Sequence, residues 1–147
     1  MKRTALIIVI LVLAIGGWYG YRLYSEKNPD LKNRKPDFST AAAALISAFD
    51  KDSSAASKQY ISKIVEVKGN ITKLDTSGVI ALGAAGEMST VECTMDKRHK
   101  EDYAALKEGD EVSIKGRVTG FKSEIMLDVN LGTTVEMNFC SIQNHKQ

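Results

Sequence analysis

After Tyr60 the sequence contains five short strand-like segments, four of which alternate between apolar and polar residues, and no other feature constrains the fold as strongly. A period of two residues predicts β-strands with one buried and one solvated face. The segments are residues 65–72, 79–82, 91–95, 111–119 and 134–142. One helical pattern, at 96–109, separates the third segment from the fourth, and a mixed segment at 121–132 is expected to form a loop. This part of the chain is therefore predicted to be mainly β.

Three strands, a helix and two further strands follow one another in the order of the OB-fold, a five-stranded and partly open barrel. Before the first strand, an Ala-rich segment has apolar residues at helical spacing, and Ser39 or Thr40 is expected to cap this helix. We therefore predict a mainly β chain. Its five-stranded OB-fold barrel has a helix between strands 3 and 4 and is preceded by an N-terminal helix and a transmembrane helix.

The predicted transmembrane helix is a run of 17 residues without a charge, ALIIVILVLAIGGWYGY, at 5–21. At about 1.5 Å of rise per residue, a helix of this length is just long enough to cross a hydrocarbon core of about 30 Å. The aromatic rings of Trp18, Tyr19, Tyr21 and Tyr24 suit the headgroup layer at its end. A membrane is therefore an expected partner of residues 5–21.

This segment also sets the predicted domain boundaries and location. They are a signal anchor or transmembrane helix at 1–24, a linker at 25–37, and an OB-fold domain with an N-terminal helical extension at 38–147. Lys2 and Arg3 precede the apolar run as in an export signal, so we expect a single-pass membrane protein with an extracytoplasmic, periplasmic C-terminal domain. The alternative is secretion after cleavage of a signal peptide near Ala14 and Gly16.

The charge of the predicted domain argues against nucleic acid as the first choice of ligand. Residues 38–147 carry 13 basic and 15 acidic side chains, although the whole chain has a formal charge of +2. A nucleic-acid binder neutralises phosphates and would need a concentrated basic patch to offset this balance. The candidate patch is a face formed by Lys115 and Arg117 with Lys68 and Lys73. The alternative interpretation of these four residues is an ordinary solvated face.

Cys93 and Cys140 are the only cysteines and fall in the third and fifth predicted strands. These strands are neighbours in an OB barrel, so a disulfide is one prediction, and it would persist outside the cytoplasm. The alternation places Cys140 on the face opposite to Cys93 unless a bulge intervenes. Two separate buried thiols, or a metal or redox role, are the alternatives.

Three parts of the sequence resemble the tRNA-anticodon-binding-like family of bacterial OB-fold proteins. They are AAAALISAFDKDSSAASKQYISKIVEVKGNI, VECTM, and LKEGDEVSIKGRVTG together with VEMNFCSI. The resemblance covers 39–142 and implies an OB-fold. It also implies export or membrane anchoring, which is common among the members. The family name describes a shape shared with anticodon-binding domains, so it does not by itself imply a ligand.

No pattern of residues predicts catalysis, a metal site or a cofactor, and the protein is expected not to be an enzyme. We predict a membrane-tethered OB-fold module that binds a protein, an envelope polymer or a small ligand, with nucleic-acid binding as the alternative. His99 and Tyr103, in HKEDY, have the His-x-x-x-Tyr spacing of the haem chaperone of cytochrome c maturation. In that family the motif follows the last strand, so haem carriage is a remote alternative.

Overall fold

Six strands form one sheet in the computed structural model, which describes residues 2–27, 30–84, 86–126 and 129–146 of the 147. The strands are β1 (Phe38–Ala41), β2 (Ile64–Leu74), β3 (Val79–Gly83), β4 (Thr90–Met95), β5 (Glu111–Met126) and β6 (Val129–Lys146). The helices are α1 (Lys2–Lys27), α2 (Ala42–Lys51), α3 (Ser53–Tyr60) and α4 (Lys100–Tyr103), and a 3-10 turn at Lys97–His99 precedes α4.

The sheet closes into the barrel that the alternating sequence predicts. Its order is β1-β2-β3-β4-β6-β5, and a further pairing of β2 with β5 closes the ring. Strands β4 and β6 are parallel, whereas the other pairs within the ring are antiparallel. Val65 and Val67, two alternate apolar residues of β2, are both fully buried. The mainly β fold and the five-stranded barrel with its accompanying helices are thereby confirmed.

Strand β1 is absent from the sequence prediction, which assigned Ser39 or Thr40 to the cap of a helix. Both residues lie in β1, which runs parallel to β2. Helix α2 starts after Ala41, which makes no side-chain capping hydrogen bond. The ring of Phe38 packs edge-on against Tyr60 with 5.4 Å between centroids. This tertiary contact helps to hold the short segment extended, so the prediction of a cap here was wrong.

Helices α2 and α3 cover one part of the barrel with the apolar face that their spacing predicts. Leu45, Ile46 and Phe49 of α2 are buried, and the Phe49 ring lies 5.0 Å from that of Phe121 on β5. Helix α3 begins after Asp52, whose carboxylate accepts a hydrogen bond of 2.9 Å from the Ala55 amide. These contacts join the helical extension to the barrel core.

Strands β5 and β6 extend into the segment 121–132, where a loop was predicted, up to Met126 and from Val129. Phe121 pairs with Val135 and Lys122 with Thr134. Beyond them the Ser123 and Thr133 hydroxyls lie 3.2 Å apart. Each arm supplies the backbone partners of the other, so an irregular apolar pattern still forms a hairpin, and the predicted loop was wrong.

Helix α1 is longer than the segment 1–24 assigned to it and ends at Lys27. It leaves large apolar side chains uncovered by the rest of the protein, including Leu13 at 69% exposure and Trp18 at 69%. Within the part of the chain that the structure describes, no helix combines the length and hydropathy needed to cross a membrane.

Candidate binding cleft

A cleft of about 730 Å³ lies between the C-terminal part of α1 and one side of the barrel. This volume is in the range of small-molecule sites, which is about 300–1,000 Å³. Helix α1 contributes Tyr21 and Tyr24, and the barrel side comes from the end of β4, the turn after it, and β6. Met95 and Phe139 supply the apolar part of the barrel wall. We call this space the α1 cleft.

A bulge in β6 shapes the barrel wall of the α1 cleft. Cys93 pairs with Met137, but Met95 pairs with Cys140, so β6 has one more residue than β4 over this interval. The extra length is absorbed at Phe139, which has a φ of 56°. A bulky residue in this left-handed region is uncommon, and bulges often redirect side chains near binding sites. Here Phe139 is half-buried and faces the cleft.

Two cations border the α1 cleft, and one of them is held in place. Arg98 Nε lies 2.9 Å from both carboxylate oxygens of Asp96, and Arg98 Nη2 makes a further hydrogen bond to this carboxylate. The Asp96 carboxylate also accepts from the Arg98 backbone amide at 3.0 Å. These bonds to Arg98 hold the pKa of Asp96 below its ordinary value, although burial opposes this shift. Lys97, in contrast, is exposed.

Asp30, Asp96 and His99 form a small group of potential metal ligands next to the α1 cleft. One ligand atom from each lies within 4.8 Å of the others. However, Arg98 already pairs with Asp96, and His99 Nε2 lies 3.2 Å from both Asp30 oxygens. A divalent ion would have to displace the guanidinium, so this donor set does not fit a metal ion.

The segment between α1 and β1, predicted as a linker, is docked on the barrel. Leu31 is 1% exposed, and the Lys32 ammonium lies 2.5 Å from the Asp102 carboxylate. The Lys115 ammonium donates to the Lys32 carbonyl at 2.9 Å, to the Arg34 carbonyl at 2.7 Å and to Gln143 Oε1 at 3.1 Å. We call residues 30–34 the docked segment.

The four residues of the predicted basic face have different surroundings. Lys115 is only 4% exposed because the docked segment covers it, so its assignment to a solvent-exposed face was wrong. Arg117 is half-buried, and its Nε has no hydrogen-bond partner among the described residues. Lys68 and Lys73 are exposed on β2, but Lys68 pairs with β5 and Lys73 with β3. The structure thus does not combine these four cations in one open patch.

The bulge in β6 brings Cys140 to the same side of the sheet as Cys93. Both are free and fully buried in this structure. Burial raises the pKa of the Cys140 thiol well above its ordinary value, and the neighbouring Cys93 adds to this effect. Their strand partners differ, because Met95 rather than Cys93 lies opposite Cys140. The two thiols are nevertheless neighbours, because a side-chain hydrogen bond with Cys93 contributes to the raised pKa of Cys140.

Two glutamates lie side by side on the outer face of β4 and β6, and β4 belongs to the strand pair β3–β4 on which OB-folds often bind oligonucleotides or oligosaccharides. Glu92 and Glu136 are direct partners across these parallel strands. Lys122 of β5 forms an ion pair with Glu136, and this contact raises the pKa of the Lys122 ammonium, to which Glu92 adds. The sequence of β3 and β4 contains no aromatic residue on which a base could stack.

His99 and Tyr103, the pair with haem-chaperone spacing, both have structural roles. His99 contacts Asp30 of the docked segment. The Tyr103 hydroxyl lies beside Gly78, where an added Cβ would be 3.2 Å away. Gly78 has a φ of 90° in the turn between β2 and β3, so Tyr103 packs on that turn.

Reasoning from the sequence did not find the α1 cleft. Its two tyrosines are predicted to lie at the membrane interface, and Phe139, between Asn138 and Cys140, is part of a predicted strand in which nothing local marks a site. The one available signal was the parity conflict at Cys140, which a bulge resolves. That conflict indicates the bulge in β6, although it does not indicate that α1 lies across the cleft from β6.

Comparisons with known proteins agree with this architecture. A family model described as tRNA_anti-like matches residues 1–131. No curated protein matches the chain. Among solved structures, a putative nucleic acid-binding lipoprotein from Klebsiella pneumoniae is similar, with 18% identity and a TM-score of 0.51 over 71% of this chain and 91% of that chain. Asparaginyl-tRNA synthetase from Entamoeba histolytica has 15% identity and a TM-score of 0.38 over 58% of this chain and 22% of that chain.

Proposed function

The chain belongs to the tRNA_anti-like family, and from this premise we propose that it is a non-enzymatic OB-fold binding module tethered to a membrane by α1. In this proposal the barrel lies outside the cytoplasm and binds its ligand close to the membrane. The observation that carries it is the exposure of the apolar side chains of α1, including Leu11 at 55% and Leu13 at 69%, in a run of 17 residues without a charge. Such a surface is stable in water only when something apolar covers it.

The docked segment supports the same proposal, since it joins α1 to the barrel through buried and charged contacts. Leu31 is buried, and Lys115 holds two backbone carbonyls of the segment. A barrel attached in this way would keep one side turned toward the membrane. The Klebsiella neighbour is described as a lipoprotein. At 18% identity, however, the likeness shows only that the two chains share a fold.

Membrane tethering is tested by expressing the full chain in a bacterial host and extracting the membranes with alkaline carbonate. We expect the unmodified chain to stay in the membrane pellet. The double variant Ile10→Lys with Leu13→Lys should be released, because a lysine near the centre of a membrane helix costs about 2.5–3.5 kcal/mol. The matched control is Met88→Lys, which changes an apolar residue that is 64% exposed outside α1. Release of the unmodified chain would reject the tether.

The location of the barrel is tested separately with protease added to intact spheroplasts. Digestion of the barrel while a cytoplasmic marker stays protected is the expected result. Protection of the barrel until the membrane is lysed would reject an extracytoplasmic domain and leave the tether in place.

Nucleic-acid binding is the second candidate, and it is supported by the OB-fold and by the description of the Klebsiella neighbour. The acidic pair Glu92 and Glu136 on the outer face opposes it. We therefore expect weak oligonucleotide binding in fluorescence anisotropy, with no loss in the double variant Lys68→Ala with Lys73→Ala relative to Lys58→Ala on α3. Tight binding that falls steeply with salt and is lost in the double variant would favour this candidate instead.

A further inference from the structure

The α1 cleft lies next to the membrane surface if α1 is the tether proposed above. Tyr21 and Tyr24 are the α1 side of the cleft, and they belong to the aromatic end of the apolar run. They are 72% and 68% exposed, so their rings are open to solvent as well as to the cleft. Aromatic residues at the end of a membrane helix lie at the level of the lipid headgroups. The cleft would then open among those headgroups.

The polar groups that border the α1 cleft suit an anionic oxygen ligand. Lys97 is exposed, whereas Arg98 is fixed by Asp96. The Thr94 hydroxyl and the Asn138 amide add two hydrogen-bond donors. Asp96 is the single carboxylate among the described lining residues, and Arg98 neutralises it, so Lys97 leaves a net positive charge.

The apolar wall of the α1 cleft suits a ligand that is larger than a free phosphate ion. Met95 and Phe139 line the same space as the cations, and the Phe139 backbone is held in the left-handed region by the β6 bulge. A ligand that carries both a phosphate and an aliphatic part would contact both kinds of surface. A lipid headgroup with its glycerol carbons has this composition.

Contacts beside the α1 cleft support its barrel wall. The docked segment binds the 3-10 turn and α4, through Asp30 to His99 and Lys32 to Asp102. Lys115 fixes the same segment to β5. The barrel wall of the cleft is therefore organised before any ligand enters, which reduces the entropy lost on binding.

We propose that the α1 cleft binds the phosphate-bearing headgroup of an anionic lipid, with Lys97 and Arg98 facing the phosphate and Phe139 facing the glycerol backbone. This inference rests on the proposed tether. It gives the barrel a ligand within the membrane to which it is attached.

Trp18 provides a direct test because it is the single tryptophan of the chain and lies one helical turn before Tyr21. The full chain is reconstituted in phosphatidylcholine vesicles that contain a fixed fraction of brominated lipid, which quenches tryptophan fluorescence on contact. The brominated species is either phosphatidylglycerol or phosphatidylcholine. We expect phosphatidylglycerol to be enriched near Trp18, by roughly fivefold for one basic residue acting on an anionic lipid.

Two variants separate the cleft from general attraction to a negative surface. Lys97→Gln should abolish the preference, and Thr94→Phe should abolish it without a change of charge by filling the cleft at an exposed position. Lys100→Gln is the matched control, since Lys100 is exposed on α4 and does not line the cleft. Equal loss in all three variants, or retention of the preference in Thr94→Phe, would overturn the proposal.

The remaining outcomes distinguish this inference from the tether. Carbonate-resistant chain that is quenched equally by both brominated lipids would overturn the headgroup site and leave the tether standing. Chain that carbonate releases would overturn both. If quenching is equal but glycerol 3-phosphate binds the detergent-solubilised chain and Lys97→Gln prevents this, the site takes a soluble phosphate ester, and the lipid proposal fails.

Discussion

The Lys115 ammonium lies 2.7 Å from the backbone carbonyl oxygen of Arg34, a residue 81 positions earlier in the sequence. It also donates to the Lys32 carbonyl and to Gln143, and only 4% of the residue is exposed. A basic residue in a barrel strand thus binds the chain's own docked segment. The charge at this position fixes the route of the chain from α1 to the barrel.

Replacement of Lys115 by methionine is expected to release the docked segment. The variant loses three hydrogen bonds made by a charged donor, so the free energy that holds the segment closed should fall by roughly 1–3 kcal/mol. Trypsin should then cut after Lys32 and Arg34 roughly fivefold to 150-fold faster, since each ~1.4 kcal/mol raises the open population about tenfold. Mass spectrometry of the fragments gives the rate at each site.

The control for this experiment is Lys68→Met, which removes an exposed lysine from neighbouring β2. It should leave the cleavage rate unchanged. Unchanged cleavage in Lys115→Met would contradict the assignment of Lys115 as the residue that holds the segment.

The second expected effect concerns Gly116, which faces the barrel interior against the bulge. A Cβ at this position would collide with the Cys140 sulfur and lie 3.3 Å from the end of Met137. We expect Gly116→Ala to lower the free energy of unfolding by about 1–3 kcal/mol through overpacking. Urea denaturation of the full chain in detergent, followed by circular dichroism, measures this change.

A double-mutant cycle shows whether Cys140 is the cause. Removal of the sulfur in Cys140→Ala makes room for the new methyl group, so the double variant should lose less stability than the sum of the single losses. Gly120→Ala is the control, because its Cβ would meet Glu136 at an ordinary 3.8 Å. Additive losses would show that the collision does not determine the cost.

The sequence predicts the barrel well because its signal is local and repeated. Strands such as β2 and β4 have the alternation that buries residues such as Val65 and Val91, and the order of the elements selects the OB-fold. The short strand β1 was missed because four residues with a parallel partner carry no period of their own. The hairpin at 121–132 was missed for a related reason, since each arm there depends on its partner.

The surroundings of Lys115 and Phe139 were beyond prediction from the sequence. Parity correctly places Lys115 on the outer side of β5, but no local pattern indicates that residues 30–34 cover it. The bulge at Phe139 could be suspected only from the parity of Cys140. Both outcomes depend on contacts between segments that are far apart in sequence.

The third expectation is a dependence on pH from the pair of Asp96 and Arg98. Arg98 lowers the pKa of Asp96 below the ordinary 3.8, so the folded state binds this proton less readily than the unfolded state. The stabilisation is therefore present above about pH 4 and is lost as the pH falls through the lower folded-state value. Arg98→Leu should cost roughly 1 kcal/mol at pH 7, a modest amount because the Arg98 side chain is 46% exposed.

Chemical denaturation at several pH values between 2.5 and 7, chosen as about the range over which a carboxyl titrates, checks this sign. The difference in the free energy of unfolding between the unmodified chain and Arg98→Leu should shrink toward zero at the lowest pH values. The control Lys97→Leu removes the adjacent exposed cation. It should change the free energy of unfolding only slightly, and this change should not vary with the protonation of Asp96. A difference that grows on acidification would contradict the pairing.

The last expectation concerns Cys93 and Cys140, for which the sequence left a disulfide and two separate thiols open. Both side chains are fully buried, and burial raises the pKa of Cys140, so the reactive thiolate is scarce and inaccessible in the folded state. We expect no alkylation by iodoacetamide in the folded chain and two alkylated residues after denaturation without reductant. Peptide mass spectrometry identifies the sites, and Cys93→Ala serves as the control with a single modified residue. A chain that takes up no label until reductant is added would contain the disulfide and would contradict the two free thiols of this structure.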